Sequence, residues 1–293
     1  MKGFERKIKA FTNLFRRKIL VAILLVICFL FHGAHTLLSN ELLGIHLNRL
    51  LKKPDPFKDM VFIAEGKFQF GMKNDKKNPL QIAETKDYWI DKYEVTFRQY
   101  FDFCGVLNCE IDKDKWGFDP KKIEDFLDHP AKGVTWLGAY KYCQSQNKRL
   151  PSEIEWEKAA SWKEGRKYLY SSGKGYASCE FVVMNEAKKR DKAGCGKGTT
   201  WPVGSKPVEI NGTFDMAGNV WEWVADPYIE YKKVPLIGVY KEDVKSRYPG
   251  RITHYTIRGG NYLSLDHYNL TSIARFWGTA KFGGGGFRCV KDP

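Results

Sequence analysis

Apolar and polar positions along the chain organise into short patterns rather than long ones. Met60 to Phe70 (MVFIAEGKFQF) and Tyr88 to Tyr93 (YWIDKY) alternate or cluster in the manner of short strands, with glycine as punctuation. Val95 to Cys104 carries aromatics at helical spacing behind Thr96, a residue type that caps helix starts. In Thr135 to Gln146 the side chains of Trp136, Ala139, Tyr140 and Cys143 share one helical face. A third helix is predicted from Ser152, because Glu155 follows three residues later. The pair can form a capping box that satisfies backbone donors which the first helical turn leaves open. From Lys163 to Pro249 the chain reads mostly as loops rich in glycine and aromatics. These elements predict an α+β fold of short helices set against small twisted sheets. With nine tryptophans among 293 residues, aromatic packing and cross-links are expected to hold it together.

One apolar run stands apart from this pattern. Ile19 to Phe31 is unbroken, and Lys2, Arg6, Lys7, Lys9, Arg16, Arg17 and Lys18 precede it. The basic flank supplies a large part of the net charge of +14, so the charge reads as a targeting signal and not as a nucleic-acid-binding face. The expected organisation is a basic cytoplasmic region at 1–18, a transmembrane or signal anchor at 19–38, a stem at 39–56 and a globular domain at 57–291. That order implies a single pass through an inner or cell membrane, with the domain periplasmic or extracellular.

Cys28 lies in the apolar run, and an even number of cysteines remain: Cys104, Cys109, Cys143, Cys179, Cys195 and Cys289. In an oxidising compartment the default expectation is disulfides. No CxxC spacing suggests a zinc site. Spacing suggests Cys104 with Cys109 and Cys179 with Cys195, leaving Cys143 for Cys289.

Five ordered motifs carry a resemblance. They are His129 to Trp136 (HPAKGVTW) with Tyr142-Cys143, Lys148 to Glu157 (KRLPSEIEWE), Asp215 to Trp223 (DMAGNVWEW), Arg258-Gly259-Gly260, and Gly286 to Cys289 (GFRC). Together they are similar to the formylglycine-generating enzyme, or sulfatase-modifying factor, family. The resemblance implies a variant of the C-type-lectin fold and a Cys143–Cys289 disulfide. It also implies a calcium site from the side chains of Asp215 and Glu222 with the carbonyls of Gly218 and Val220. Hard oxygen ligands on a tight loop suit that ion.

Enzymes of that family oxidise a cysteine to formylglycine with oxygen and a copper ion held by two cysteines. The matching positions here are Ser264 and Asn269. A hydroxyl and a carboxamide are hard, neutral donors, whereas Cu(I) selects thiolates, so copper is not expected. The expected function is a non-catalytic binding or accessory module for a protein or peptide partner. Its candidate ligand residues are Asn261, Tyr262, Ser264, Asp266, His267, Tyr268, Asn269, Arg275 and Trp277, because rigid aromatics beside adaptable polar groups suit recognition loops. The alternative is an oxidoreductase of the formylglycine-generating or non-haem iron type with ligands not evident in the sequence.

Overall fold

Helices begin where side chains can cap them. In the computed structural model Thr96 accepts from the Gln99 amide while the Gln99 side chain accepts from the Thr96 amide, and helix α1 runs over Phe97–Cys104. Thr135 caps α2 at Trp136–Ser145 through the Gly138 amide, at 3.0 Å. Ser152 and Glu155 form the expected box at the start of α3, Glu153–Ser161. The structure describes residues 57–105, 109, 111–116, 118–186, 192–228, 236–237, 254–265, 267–279 and 285–293. The chain divides into two units, Met1–Lys58 and Asp59–Pro293, and the second carries all of the described helices and strands.

The strands form four small sheets. β1 (Met60–Ile63) and the last strand, β12 (Val290–Lys291), flank β4 (Tyr88–Asp91), both antiparallel to it. β2 (Gly66–Phe70) pairs with β3 (Gln81–Thr85), which β8 (Leu236–Ile237) joins in parallel. β5 (Trp162–Lys163) and β6 (Arg166–Lys167) make a hairpin. The largest sheet orders β10 (Arg275–Thr279), β9 (His254–Arg258), β7 (Trp221–Pro227) and β11 (Gly285–Gly286).

Two expectations change in detail. The run from Met60 to Phe70 is two strands, because the Lys158 ammonium gathers the Ala64 and Gly66 carbonyls at 2.7 and 3.1 Å and the chain turns there. Gly66, at φ 125°, makes that turn. The segment read as loops contains β7, whose Trp223 and Val224 are fully buried and whose register with β9 shifts between Trp223 and Pro227. That irregularity breaks the alternation by which a strand is read.

Aromatics from α1 and α2 fill the main core. Phe97, Tyr100, Phe101, Trp116 and Phe287 pack with Cys143, Leu150 and Trp223. A second cluster forms where Trp156, Ala159 and Ala160 of α3 meet Tyr88, Ile90 and Val290. All three disulfides form as expected: Cys104–Cys109, Cys143–Cys289 and Cys179–Cys195.

The motif charges are internal. Arg258, fully buried, donates to Glu153 at 2.8 Å and to Glu157 at 2.7 Å, and it also holds the Ser272 carbonyl. Arg288, also fully buried, grips both oxygens of Glu222 and collects the carbonyls of Asp91, Lys92 and Phe214. Buried charges persist only when paired and hydrogen-bonded, and these are. The residues that carry the family resemblance are thus largely girders between α3, β7, β9 and the segment leading into β12.

The single-pass membrane location is corrected. No helix among the described residues is long and apolar enough to cross a membrane. The expected basic region, anchor and stem, 1–56, lie outside the described residues.

Candidate functional site

Beside the Arg258-Gly259-Gly260 turn the chain builds a tight knot around Ser264. The Asn261 amide donates to the Ser264 hydroxyl at 3.0 Å, and that hydroxyl donates to Asn261 Oδ1 at 3.1 Å. Asn261 Oδ1 also accepts from the Leu263 amide. Gly260 must be glycine, because at φ 78° a Cβ there would lie 2.6 Å from the Asn269 carbonyl oxygen. The chain then enters a short 3-10 turn, Tyr268–Leu270, which begins after His267 with no side-chain cap.

The candidate residues do not share one environment. Asn261, Tyr262 and Trp277 line a cavity of about 480 Å³ over β7, β9 and β10. Ser264 is buried in its own turn, while Asn269 is half-buried and His267 exposed. Tyr268 donates to Asp75 at 2.8 Å, and burial together with that bond pushes its phenol well above the usual range. Asp266 lies outside the described residues. Arg275 is corrected: it is buried, binds both Glu153 oxygens at 2.6 and 2.9 Å, and donates to the Lys77 carbonyl. Its guanidinium is committed to the Glu153 carboxylate and the Lys77 carbonyl rather than presented at the surface.

The cavity also gathers residues that the sequence did not single out. Trp221 and Phe276 meet at a ring separation of 5.4 Å, and Val220 and Ile257 line it nearby. Lys115 is exposed, whereas Lys132 is only 3% exposed. The Lys132 ammonium donates to the Tyr262 hydroxyl at 3.3 Å and lies 4.3 Å from the centre of that ring. It makes no ion pair among the described residues, and burial pushes it down from 10.5 to about 7. A lysine in a cleft without an ion-pair partner among the described residues, and held far from its ordinary protonation behaviour, is a candidate functional group. Its only sequence signal is a lone cation within an otherwise uncharged stretch, Pro130 to Trp136.

The expected calcium ligands occupy one buried region with surplus negative charge. Asp215 Oδ2 accepts from the Gly204 amide at 2.7 Å, while Oδ1 is buried with no partner among the described residues. Burial raises the Asp215 carboxyl to about 6, with the Glu222 charge adding to the effect. Burial likewise pushes Glu94 well up, with Asp215 and Glu222 contributing, and Glu209 to about 7. Glu222 Oε2 already takes Trp156 and Arg288, so a metal would have to use Oε1, which accepts one bond. No group of three or more His, Cys, Asp or Glu side chains among the described residues is placed to hold a metal ion, so a divalent cation here would rest on the orphaned Asp215 oxygen, one Glu222 oxygen and backbone carbonyls. The donors at Ser264 and Asn269 do not fit Cu(I).

Short helices, small sheets and a loop-dominated site define a variant of the C-type-lectin fold. Residues 48–293 match the family model of the sulfatase-modifying factor enzyme 1-like domain, and the chain belongs to that family. It is 36% identical over 215 residues to the inactive C-alpha-formylglycine-generating enzyme 2 of Bos taurus, covering 58% of this chain and 71% of that one. It is 31% identical over 260 residues to the serine/threonine-protein kinase Pkn1 of Chlamydia trachomatis, 82% of this chain but only 39% of the kinase. The solved structure of PvdO from Pseudomonas aeruginosa superimposes with a TM-score of 0.63 at 23% identity, over 82% of this chain and 97% of PvdO.

Proposed function

We propose that this chain is a non-catalytic member of its family, a binding or accessory module that engages a protein or peptide partner through the cavity and the loop beside it. One observation carries the reading. Where the family resemblance calls for two thiols, Ser264 has its hydroxyl committed to Asn261, and Asn269 sits in a 3-10 turn. Neither presents a soft anion to a copper ion. Similarity to a bovine relative named as inactive supports the same reading. Incubating the purified chain with copper, oxygen and a Cys-x-Pro-x-Arg peptide is expected to leave the peptide mass unchanged. Appearance of the aldehyde product would overturn the proposal.

Calcium belongs to this reading as a structural ion. Asp215 and Glu222 side chains would hold it with the Gly218 and Val220 carbonyls, fixing the loop that leads into β7. A calcium titration of the chelator-treated chain should raise the melting temperature by several degrees. If calcium left it unchanged, the ion would have no place here.

A further inference from the structure

We propose that the cavity over β7, β9 and β10 captures the terminal carboxylate of a partner peptide whose last residue is aromatic or large and apolar. The inference rests on the binding-module reading above and names the chemistry of its partner.

Its geometry combines three features. The volume, about 480 Å³, falls in the range of small-ligand sites. The walls are largely apolar, with Trp221, Phe276 and Ile257 among them, while Lys132, Tyr262 and Asn261 supply polar groups. No aspartate or glutamate is among the described residues that line it. A buried ammonium without a carboxylate partner among the described residues is costly in the free protein, and an arriving anion removes that cost. One buried cation matches one negative charge, which favours a carboxylate over a doubly charged phosphate. Exposed Lys115 stands at the wall to draw the anion in without being desolvated itself.

The surface around the opening indicates a ligand longer than one residue. Leu263, Phe276 and Trp277 are each more than two-fifths exposed, giving a contiguous apolar rim of the kind that covers a partner chain. Trp277 is held edge-on to His254, with ring centres 4.2 Å apart, so it is presented in a fixed orientation. A peptide ending in phenylalanine would place its carboxylate at Lys132 and Tyr262 and its ring against Trp221. The preceding residues would then run over Phe276 and Trp277.

The proton on Lys132 makes the binding depend on pH. The titratable groups facing it are the Tyr262 phenol, Lys115 across the cavity, and His129, whose imidazole burial pushes down to about 4, with Lys132 and Lys197 adding to it. His129 is therefore uncharged throughout the range in which Lys132 titrates, and it supplies no competing cation. Binding should strengthen as pH falls through 7 and Lys132 takes up its proton, while the peptide carboxylate stays ionised throughout.

The test uses the full chain and the tetrapeptide Gly-Gly-Gly-Phe, followed by tryptophan fluorescence. The free acid should bind at pH 6, about tenfold more weakly at pH 8.5, and at least about tenfold more tightly than the same peptide amidated at its end. Lys132→Met should abolish the difference between acid and amide, with circular dichroism confirming the fold. Trp277→Ala, a change at an exposed position, should weaken the acid several-fold. Equal affinity for acid and amide, or absence of binding by the acid, overturns the proposal. N-acetylphenylalanine or phenyl phosphate binding as tightly as the tetrapeptide would overturn the assignment to a peptide terminus. The aldehyde assay reads out separately, so failure here leaves the non-catalytic reading standing, and the reverse also holds.

Discussion

At the scale of single residues, Lys132 costs this protein stability. Its folded-state protonation midpoint is about 7 against the ordinary 10.5, so between those values the unfolded chain binds more protons than the folded one. Stability therefore rises with pH across that window, and the whole penalty is present below it. Lys132→Met is expected to raise the melting temperature by about 5 °C at pH 6 and by progressively less as pH climbs toward 10, in a scanning-calorimetry series. The sequence hid this lysine because burial is set by distant strands, and nothing in HPAKGVTW says that the stretch from His129 to Val134 is buried. Arg275 erred in the other direction. It sits beside exposed Phe276 and Trp277, yet Glu153, far away in sequence, takes it inside.

At the scale of elements, helix α3 shows what could and could not be read. Its start was legible because a capping box is local: Ser152 and Glu155 are three residues apart. Its role was not, because the charges at Glu153 and Glu157 are answered by Arg258 and Arg275 across more than a hundred residues of chain. Those contacts tie the first half of α3 to two strands, β9 and β10. Arg258→Lys keeps the charge but cannot bridge two carboxylates and a carbonyl with one planar fork. It is expected to lower unfolding free energy by about 3–5 kcal/mol in urea titration, with the helix content of the folded state unchanged. A loss under about 1 kcal/mol would mean that solvent reaches the pair more readily than the structure shows.

At the scale of the whole molecule, irregular chain is held by a few long-range ties, and these were partly visible in advance. Cysteine parity and spacing pointed to the three disulfides, and ordered motifs pointed to the fold. The cavity was not legible, since its walls come from segments near Lys115, Lys132, Trp221, Tyr262 and Trp277. Cys143–Cys289 closes the longest loop, at a sequence separation of 146, against 5 for Cys104–Cys109. Replacing both Cys143 and Cys289 by alanine is expected to cost about 2–5 kcal/mol, and the short-loop pair distinctly less, as read from urea midpoints. The ties at Gly285 to Asp292 also set an order of events during synthesis. Glu222 waits for Arg288, Cys143 waits for Cys289, Arg149 waits for Asp292, and β4 waits for its second neighbour. A ribosome carrying the growing chain therefore holds an unpaired thiol and an unanswered carboxylate until Gly285 to Asp292 has emerged, and only then can the domain close.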